Sequence, residues 1–496
     1  MGMYEKLKTT FKHMLVFGVS GAINRALSVL LLPFYVHYIV PREYGALGLL
    51  MIISALVPVV LRFGLGNALL RSWYDYEEPH RPILATTAWI FLAATSLPVL
   101  LIIVFFSPEL SELILKTSAY KMHFCLVMVL SALEIMKTVP DTLMRLQNAS
   151  FKYALAETLA LVVQLSTNVV LVVVYRLGIT GVIVGNIIGS AIELGLFTVF
   201  SRHLLSWGFD FRELKVMLEF GTPLIFGRLA AICFQWVDRF FINHYVNLRA
   251  VGLYTLASQI ASPITLLVST PFSMVWANMQ FATMNDKDAS EYYARMLTYV
   301  FFVGMCFAMP IAVLTRDVLR IFAPLKYWEA ATVVPWLAFA AVLDAINPVL
   351  NVGISIKRKS MVNPFIVVTS SGINLGLNFL LIPSFGMMGA AVATVISYVV
   401  MNSMRYFITM ELLPVSYEWR RLAHVLVVCA GIYAVGSFIG IDRPIYSFLI
   451  KLPLALSLPI VLWVTGFYDA RERAYIRGVL MRLSLQQLKV ATSKSR

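Results

Sequence analysis

The sequence predicts an all-α integral membrane protein with 14 transmembrane helices. Of its 496 residues, 59% are apolar and only 13% are charged, which is about half the charged share of a soluble globular protein. The apolar residues form runs of about 20, the length at which a helix spans the hydrocarbon core of a bilayer. Runs such as residues 161–175 do not alternate between apolar and polar side chains, so they predict helices rather than strands of a membrane barrel.

Each predicted span is a mainly apolar segment between more polar loops. The first span follows Lys6, Lys8 and Lys12. It is longer than the core of a signal peptide and lacks a small-residue cleavage site, so we expect it to be retained. The spans lie at about 14–39, 44–66, 83–106, 122–145, 153–175, 179–201, 217–243, 250–278, 296–315, 330–356, 362–382, 387–410, 422–440 and 445–467.

The orientation of the chain follows from the Lys and Arg residues of its loops. If the N-terminus is cytoplasmic, the inside segments hold more than twice as many of these residues as the outside segments, as the positive-inside rule requires. An even number of spans then places both termini in the cytoplasm. The basic segment 469–496 is either a solvated tail or an amphipathic helix lying on anionic lipid.

The second half of the sequence repeats the first. Phe17-Gly18 and Arg25 match Phe220-Gly221 and Arg228 at an offset of 203 residues, and further matches follow at offsets of 207 and 208. The repeat contains six spans, so both copies cross the membrane in the same direction. Parallel repeats of this kind form two bundles with a substrate site between them.

The repeat predicts two parallel six-helix lobes around a central cavity, with an additional helix pair. The N-terminal lobe is expected at residues 1–205 and the C-terminal lobe at residues 206–412. The additional pair is expected at 413–468, followed by the basic tail at 469–496. This architecture favours a transporter over a receptor or an enzyme.

Several ionisable residues fall near the predicted bilayer midplane, where charge is costly and usually faces a cavity or a partner. Arg25 and Arg228 occupy equivalent positions in the repeat. They are candidates for a cationic cavity that binds an anionic head group, because a guanidinium donates two hydrogen bonds to phosphate at once. The alternative is an ion pair inside each lobe, with Glu193 or Asp344 as the acid. Glu193, Asp344 and Lys137 are further cavity candidates, and the alternative role of Lys137 is a helix-packing ion pair.

Three more charged residues are candidates for the lining of the cavity. Arg62 lies nearer the cytoplasmic end, where it lines an entrance or extends to the interface. Asp238 and Arg239 lie near the outer end of the seventh span. Because neighbouring residues of a helix point in different directions, we do not expect these two to require each other as partners.

The sequence contains no pattern typical of a cofactor site, a metal site or a catalytic centre. The four cysteines form no CxxC pair and the seven histidines form no HExxH motif. We therefore expect no cofactor, no metal and no enzymatic activity. The net charge of +14 collects in the predicted cytoplasmic segments, so we expect a bilayer, not nucleic acid, as its partner.

Two segments resemble a known family. WVDRFFINHYVNLRAVGLYTLASQI at 236–260 is similar to the junction of the seventh and eighth helices in bacterial polysaccharide flippases, and LLLPFYVHYIVPREYGALGLL at 30–50 resembles the matching junction of the first lobe. These oligosaccharidyl-lipid flippases, of the O-antigen or exopolysaccharide type, belong to the multidrug/oligosaccharidyl-lipid/polysaccharide exporter superfamily. Fourteen helices with an additional pair also fit this group.

The resemblance implies a flippase of the inner membrane that serves the biosynthesis of surface polysaccharide, including lipopolysaccharide. Its substrate would be an undecaprenyl-diphosphate-linked oligosaccharide, whose head group occupies the cavity while the lipid tail stays in the bilayer. The lobes would then rock to open outward. A polysaccharide polymerase and chain-length machinery are the partner proteins that such a flippase would serve.

Three alternatives remain open. A lipid II flippase shares the cationic cavity. A cation-coupled multidrug exporter would be expected to carry an acid in its first helix, and span 14–39 contains none. A membrane-embedded glycosyltransferase or ligase would need catalytic acids on a large outward loop, and the outward loops are short.

The charge asymmetry generates a prediction about topology. Reporter fusions after Gln147 and Lys287 should report the cytoplasm, and fusions after Leu115 and Pro324 should report the outside, because Lys and Arg concentrate in cytoplasmic loops. The measurement is the activity of a paired cytoplasmic and periplasmic reporter. An outside signal after Lys287 would show that the spans are miscounted.

Overall fold

The fold was analysed in a computed structural model, which describes residues 31–76, 80–147, 149–359 and 361–474. Helices dominate these ranges, and no β-strand occurs within them. In chain order the α-helices are α1 (Leu32–Tyr38), α2 (Pro41–Leu61), α3 (Leu65–Asp75), α4 (Arg81–Phe105), α5 (Ser107–Leu115), α6 (Lys121–Met136), α7 (Thr138–Leu146), α8 (Ser150–Val169), α9 (Gly178–Ser201), α10 (Phe211–Trp236), α11 (Asp238–Tyr245), α12 (Leu248–Ile264), α13 (Thr270–Ala282), α14 (Ala289–Phe322), α15 (Val334–Ala345), α16 (Asn347–Leu350), α17 (Val352–Ile356), α18 (Val362–Leu412), α19 (Trp419–Phe438), α20 (Pro444–Leu456) and α21 (Leu458–Val464).

The described helices confirm a multi-pass membrane protein. Within these ranges 11 helical segments are long and apolar enough to cross a membrane, or 12 if the bent pair α20 and α21 is one span. The 51-residue α18 is interrupted at Gly386, where φ is 56° and ψ is −133°. Asn374 on one limb donates a hydrogen bond to Ser397 on the other at 3.2 Å, so α18 folds back on itself. Most of the first predicted span lies outside the described residues, so the count of 14 stays a prediction.

The two lobes meet where α2 crosses α12. Gly45 and Gly252 face each other so closely that a Cβ on either would overlap backbone atoms of the opposite helix. One turn further along, Gly48 packs on the side chain of Thr255. Both pairs are related by the repeat offset of 207 residues, so repeat-equivalent positions contact each other across the crossing. This arrangement is that of two parallel units related by an axis through the contact.

Hydrogen bonds close the lobes around this crossing, at the predicted outer end. The buried Tyr44 donates to Gln259 at 2.6 Å, and Tyr327 donates to the carbonyl of Ile39 at 3.0 Å. The rings of Tyr44 and Tyr327 also pack edge to face. The outer side of the molecule is therefore closed.

A second contact lies at the opposite end of α2, predicted to be cytoplasmic. Gly64, in a left-handed conformation with φ of 68°, lies against the backbone of Gly221 on α10. The guanidinium of Arg71 lies 4.6 Å from the ring centre of Phe220 beside it. A side chain at Gly64 would strain the backbone and push the helices apart. The lobes thus touch at both ends, and a cavity remains between the two contacts.

The helices that follow the repeat, α19 to α21, are held against α14 by a buried ion pair at one end and by a hydrogen bond from Tyr299 to Glu472 at the other. Lys451 on α20 contacts Asp317 on α14 at 3.0 Å, and both side chains are buried. At the other end Arg421 binds Glu472 at 2.8 Å. Burial opposes the ionisation of Glu472, but hydrogen bonds from Tyr299, the Asp469 backbone and Arg421 outweigh it and lower the pKa of Glu472. These helices therefore pack on the second half of the chain, where the sequence predicted an additional pair.

The close contact at Gly45 predicts that a glycine-to-alanine substitution lowers the melting temperature there but not at a glycine with open space around it. Gly45→Ala should lower the melting temperature of the purified protein, because overpacking a close contact costs about 1–3 kcal/mol. Gly195→Ala is the matched control, since no atom lies near its Cβ position and alanine favours helices by about 1 kcal/mol over glycine. Thermal unfolding in detergent measures both. Equal melting temperatures would contradict the close crossing of α2 and α12.

Candidate functional site

A cavity of about 360 Å³ lies between α2, α6 and α10. This volume is at the lower end of the range for small-molecule pockets, so the closed molecule has room for only part of a large head group. Its lining residues are Ser54, Ala55, Pro58, Val59, Arg62, Glu134, Arg228, Ala231, Ile232, Gln235 and Trp236.

Helical periodicity explains why two helices supply most of this lining. The residues from α2 and its C-cap are spaced at i, i+1, i+4, i+5 and i+8, and those from α10 at i, i+3, i+4, i+7 and i+8. Both patterns trace one face of a helix. Each helix therefore presents a mixed polar and apolar face about 12 Å long to the cavity, at 1.5 Å of rise per residue.

Arg228 is the uncompensated charge of the cavity. Its side chain is exposed, and no ion pair or hydrogen bond involves it among the described residues. Neither of the expected partners pairs with it, because Glu193 binds Lys137 and Asp344 lies near Arg405. The ion-pair alternative for Arg228 is therefore wrong in the described part of the chain.

Arg62 shares the cavity with Arg228 but is partly neutralised. Its guanidinium lies 3.3 Å from the Glu134 carboxylate and also donates to the carbonyl oxygen of the same residue. The Arg62 side chain is about one third exposed, and its Nε has no hydrogen-bond partner among the described residues. Arg62 thus lines the cavity, which agrees with the predicted position at an entrance rather than with an extension to the membrane interface.

The acids behind Arg62 form a network inside the first lobe. Lys137 bridges the carboxylates of Glu134 at 2.7 Å and Glu193 at 2.8 Å, and Ser190 donates to Glu134 at 3.1 Å. Lys137 and Glu193 do not line the cavity. In the lining itself Arg62 and Arg228 stand against the single carboxylate of Glu134, which leaves one positive charge.

The remaining candidates lie in the second lobe, away from the cavity lining. Asp344 accepts a hydrogen bond from Ser269 at 3.4 Å, and the nearby Arg405 donates to Asn347. These residues connect α15 to the second limb of α18. At the repeat offset of 208 residues, the equivalents of Lys137 and Glu193 are Ala345 and Met401, so Asp344 and Arg405 lie near these positions but not at them.

Asp238 and Arg239 pair with each other, although their spacing alone does not require it. The guanidinium of Arg239 lies 3.2 Å from the Asp238 carboxylate, and both side chains are buried. Adjacent residues can meet here because α10 ends at Trp236 and α11 begins at Asp238, so Asp238 is the first residue of a new helix. The Arg239 guanidinium also lies 5.4 Å from the centre of the Tyr254 ring.

Arg25 lies outside the described residues, so its role stays a prediction.

Sequence reasoning missed Ser54, Gln235 and Trp236, which are uncharged. The spacing of Gln235 at seven residues from Arg228 could have placed it on the same helical face. Among the described residues no group of three or more His, Cys, Asp or Glu side chains could hold a metal ion.

Comparison with known proteins identifies the family. A model for polysaccharide biosynthesis proteins matches residues 38–332, more than half of the chain. This protein belongs to the polysaccharide biosynthesis protein family. The matched region contains α2, α6 and α10, the three helices that line the cavity.

Archaeal relatives are named as flippases. The chain is similar to the probable flippase AglR of Haloferax volcanii, with 25% identity over 47% of this chain and 50% of that protein. It is also similar to the probable low-salt glycan biosynthesis flippase Agl15 of the same organism, with 19% identity over 49% of this chain and 55% of that protein. The chain therefore spans about half the length of the curated relatives it matches.

Solved structures show the same fold at low sequence identity. The lipid II flippase MurJ in an inward closed conformation aligns with a TM-score of 0.76 and 13% identity, over 91% of this chain and 99% of that one. An inward-facing multidrug resistance transporter of the MATE family aligns with a TM-score of 0.65 and 12% identity, over 79% and 96%. The predicted all-α fold is thereby confirmed.

The ion network predicts which charge matters for folding. Lys137→Ala should lower stability by about 3–5 kcal/mol, because it leaves the carboxylates of Glu134 and Glu193 without their shared cation. Arg145→Ala is the matched control. Its ion pair with Asp141 is more than half exposed on the arginine side, and such pairs contribute at most about 1 kcal/mol. Thermal unfolding and membrane abundance measure the difference. Equal stability of both variants would contradict a structural role for the network.

Proposed function

We propose that this protein is a flippase that moves diphosphate-linked oligosaccharide lipids across the inner membrane for surface polysaccharide biosynthesis. The observation that carries the proposal is the position of Arg228: an uncompensated guanidinium in a cavity between two repeat-related lobes. Membership of the polysaccharide biosynthesis family supports the same substrate class.

The physical chemistry of the cargo explains the need for such a cavity. The hydroxyl groups of an oligosaccharide would lose their hydrogen bonds to water in the hydrocarbon core, and a diphosphate would pay a far larger cost for its charge. A polar cavity replaces the lost hydrogen bonds. A guanidinium also matches phosphate oxygens with two parallel N–H donors.

The two contacts between the lobes define the movement that transport requires. The cargo enters when the Gly64–Gly221 contact opens toward the cytoplasm, and it leaves when the Gly45–Gly252 crossing opens outward. With both contacts closed, as here, the cavity is too small for an oligosaccharide. Transport then consists of opening one contact at a time, so that no continuous path for ions forms.

The cellular setting belongs to the proposal as well. Both termini face the cytoplasm, and the lipid tail of the cargo remains in the bilayer beside the cavity. Polysaccharide polymerase and chain-length machinery receive the flipped units on the outer side. The reaction is translocation, with no bond made or broken by the protein.

Replacing the free guanidinium tests the proposal. Arg228→Ala should reduce translocation about tenfold or more, since hydrogen bonds to charged groups contribute about 1.5–3 kcal/mol, while the protein stays in the membrane. Arg228→Lys should retain part of the activity, because the charge remains without the two-pronged donor. The matched control is Arg249→Ala, whose guanidinium forms an exposed ion pair with Glu329. Complementation of surface glycan in a deletion strain, scored beside membrane abundance, measures all three.

Three outcomes would contradict the proposal. Full complementation by Arg228→Ala at normal abundance would show that the Arg228 guanidinium is not needed to bind the cargo. Normal surface glycan in the deletion strain, combined with hypersensitivity to cationic dyes, would instead identify a multidrug exporter. A deletion strain that accumulates lipid II would identify the peptidoglycan precursor as the cargo.

A further inference from the structure

The cavity has two chemically different ends. Because α2 and α10 run in opposite directions through the membrane, residues late in α2 lie level with residues early along the cavity face of α10. Arg62 and Arg228 therefore share the predicted cytoplasmic end of the cavity, and Glu134 joins them through its contact with Arg62. Ser54, Gln235 and Trp236 lie at the other end, about 10–12 Å further along the two helices.

Trp236 is available at the uncharged end. It lines the cavity, is half-buried, and its indole Nε1 makes no hydrogen bond within the described part of the chain. By contrast, the indole nitrogens of Trp89, Trp276 and Trp328 each donate to a backbone carbonyl at 3.0 Å. Trp236 thus presents both an aromatic surface and a free donor.

Two neutral hydrogen-bonding side chains accompany this indole. Gln235 is exposed, and its side-chain amide has no partner among the described residues. Ser54 donates its proton to the carbonyl of Met51 at 2.8 Å, so its oxygen remains free to accept. Together the three residues offer donors, acceptors and an apolar surface, with no charged group among them.

We propose that Ser54, Gln235 and Trp236 form a binding site for the first, uncharged sugar of the cargo. The sugar ring packs its C–H face on Trp236, and its hydroxyl groups bond to Gln235 and Ser54. The diphosphate lies at the charged end, on Arg228 and Arg62. This inference rests on the proposed function and adds the orientation of the cargo, with the sugar ahead of the diphosphate, and the preference for a neutral sugar over a sugar acid.

The orientation follows from the separation of the two ends. A diphosphate next to Trp236 would find Arg239 within one helical turn, but that guanidinium is already paired with the Asp238 carboxylate. A sugar ring beside Arg62 would meet the paired charges of Glu134. The reverse placement therefore leaves both parts of the cargo without suitable partners. The proposed orientation also places the lipid, which is attached to the diphosphate, near the cytoplasmic side from which the cargo enters.

Binding to the purified full-length protein in detergent tests the sugar site. The probes are a polyprenyl diphosphate carrying one neutral hexose, the same lipid carrying one hexuronic acid, and the same lipid without a sugar. Trp236→Ala should weaken binding of the hexose lipid by about 3- to 10-fold, as expected for the loss of one aromatic contact, and should leave the sugar-free lipid unchanged. Trp236→Phe should retain most of the affinity. Arg228→Ala should weaken binding of all three lipids.

Two further variants keep the test decisive. Trp207→Ala makes the same change at a fully exposed residue outside the cavity and should bind all probes like the unmodified protein. Gln235→Ala changes an exposed side chain and should lower the preference for the hexose lipid even if Trp236→Ala does not fold. Equal binding of the hexose and sugar-free lipids by the unmodified protein, or a preference for the hexuronic acid, would overturn the sugar site. Failure to bind any of the three lipids would instead overturn the proposed function.

Discussion

The crossing of α2 and α12 is the contact on which the arrangement of the two lobes depends. Gly45 and Gly252 allow two backbones to touch where any larger side chain would separate them. In a bilayer, where lipid tails are as apolar as leucine, close packing of small residues replaces the hydrophobic effect as a cause of helix association. Because repeat-equivalent residues meet at this contact, each lobe approaches the other through the same surface. The crossing thereby fixes where the cavity lies, between it and the Gly64–Gly221 contact.

The direction of the cavity helices then determines the chemistry along the cavity. The α2 helix belongs to the second predicted span of its lobe, and α10 belongs to the first predicted span of the other lobe. Because both copies of the repeat cross the membrane in the same direction, α2 and α10 run in opposite directions. Arg62 follows the last residue of α2 and Arg228 is the first residue of α10 that lines the cavity, so both charges face the same space. The uncharged residues collect at the far end for the same reason. The polarity of the cavity is thus a consequence of topology together with the position of a few side chains along each helix.

The sequence predicted the helices, the repeat and Arg228 because each leaves a local or periodic signal. It did not predict which charges pair, since Lys137 and Glu193 lie 56 residues apart and only the packing of α6, α7 and α9 brings them together. It left open whether Asp238 and Arg239 pair, because the end of α10 at Trp236 and the start of α11 at Asp238 leave no clear signal in an apolar span. Trp236 and Gln235 were missed because an uncharged residue in an apolar span resembles an ordinary packing residue. Their proximity to Ser54 depends on a contact between lobes.

The ion pairs within the lobes explain why Arg228 can act on an anion. A buried charge is tolerated when an opposite charge and hydrogen bonds compensate it, and Lys137 with its two carboxylates meets this condition. In the second lobe Asp344 accepts a hydrogen bond from Ser269 and Arg405 donates one to Asn347, so both have partners outside the cavity. Arg228 therefore has no competing carboxylate of its own among the described residues, unlike Arg62. An anion that enters the cavity gains the attraction of this guanidinium without first displacing a partner, which is the condition for reversible binding during transport.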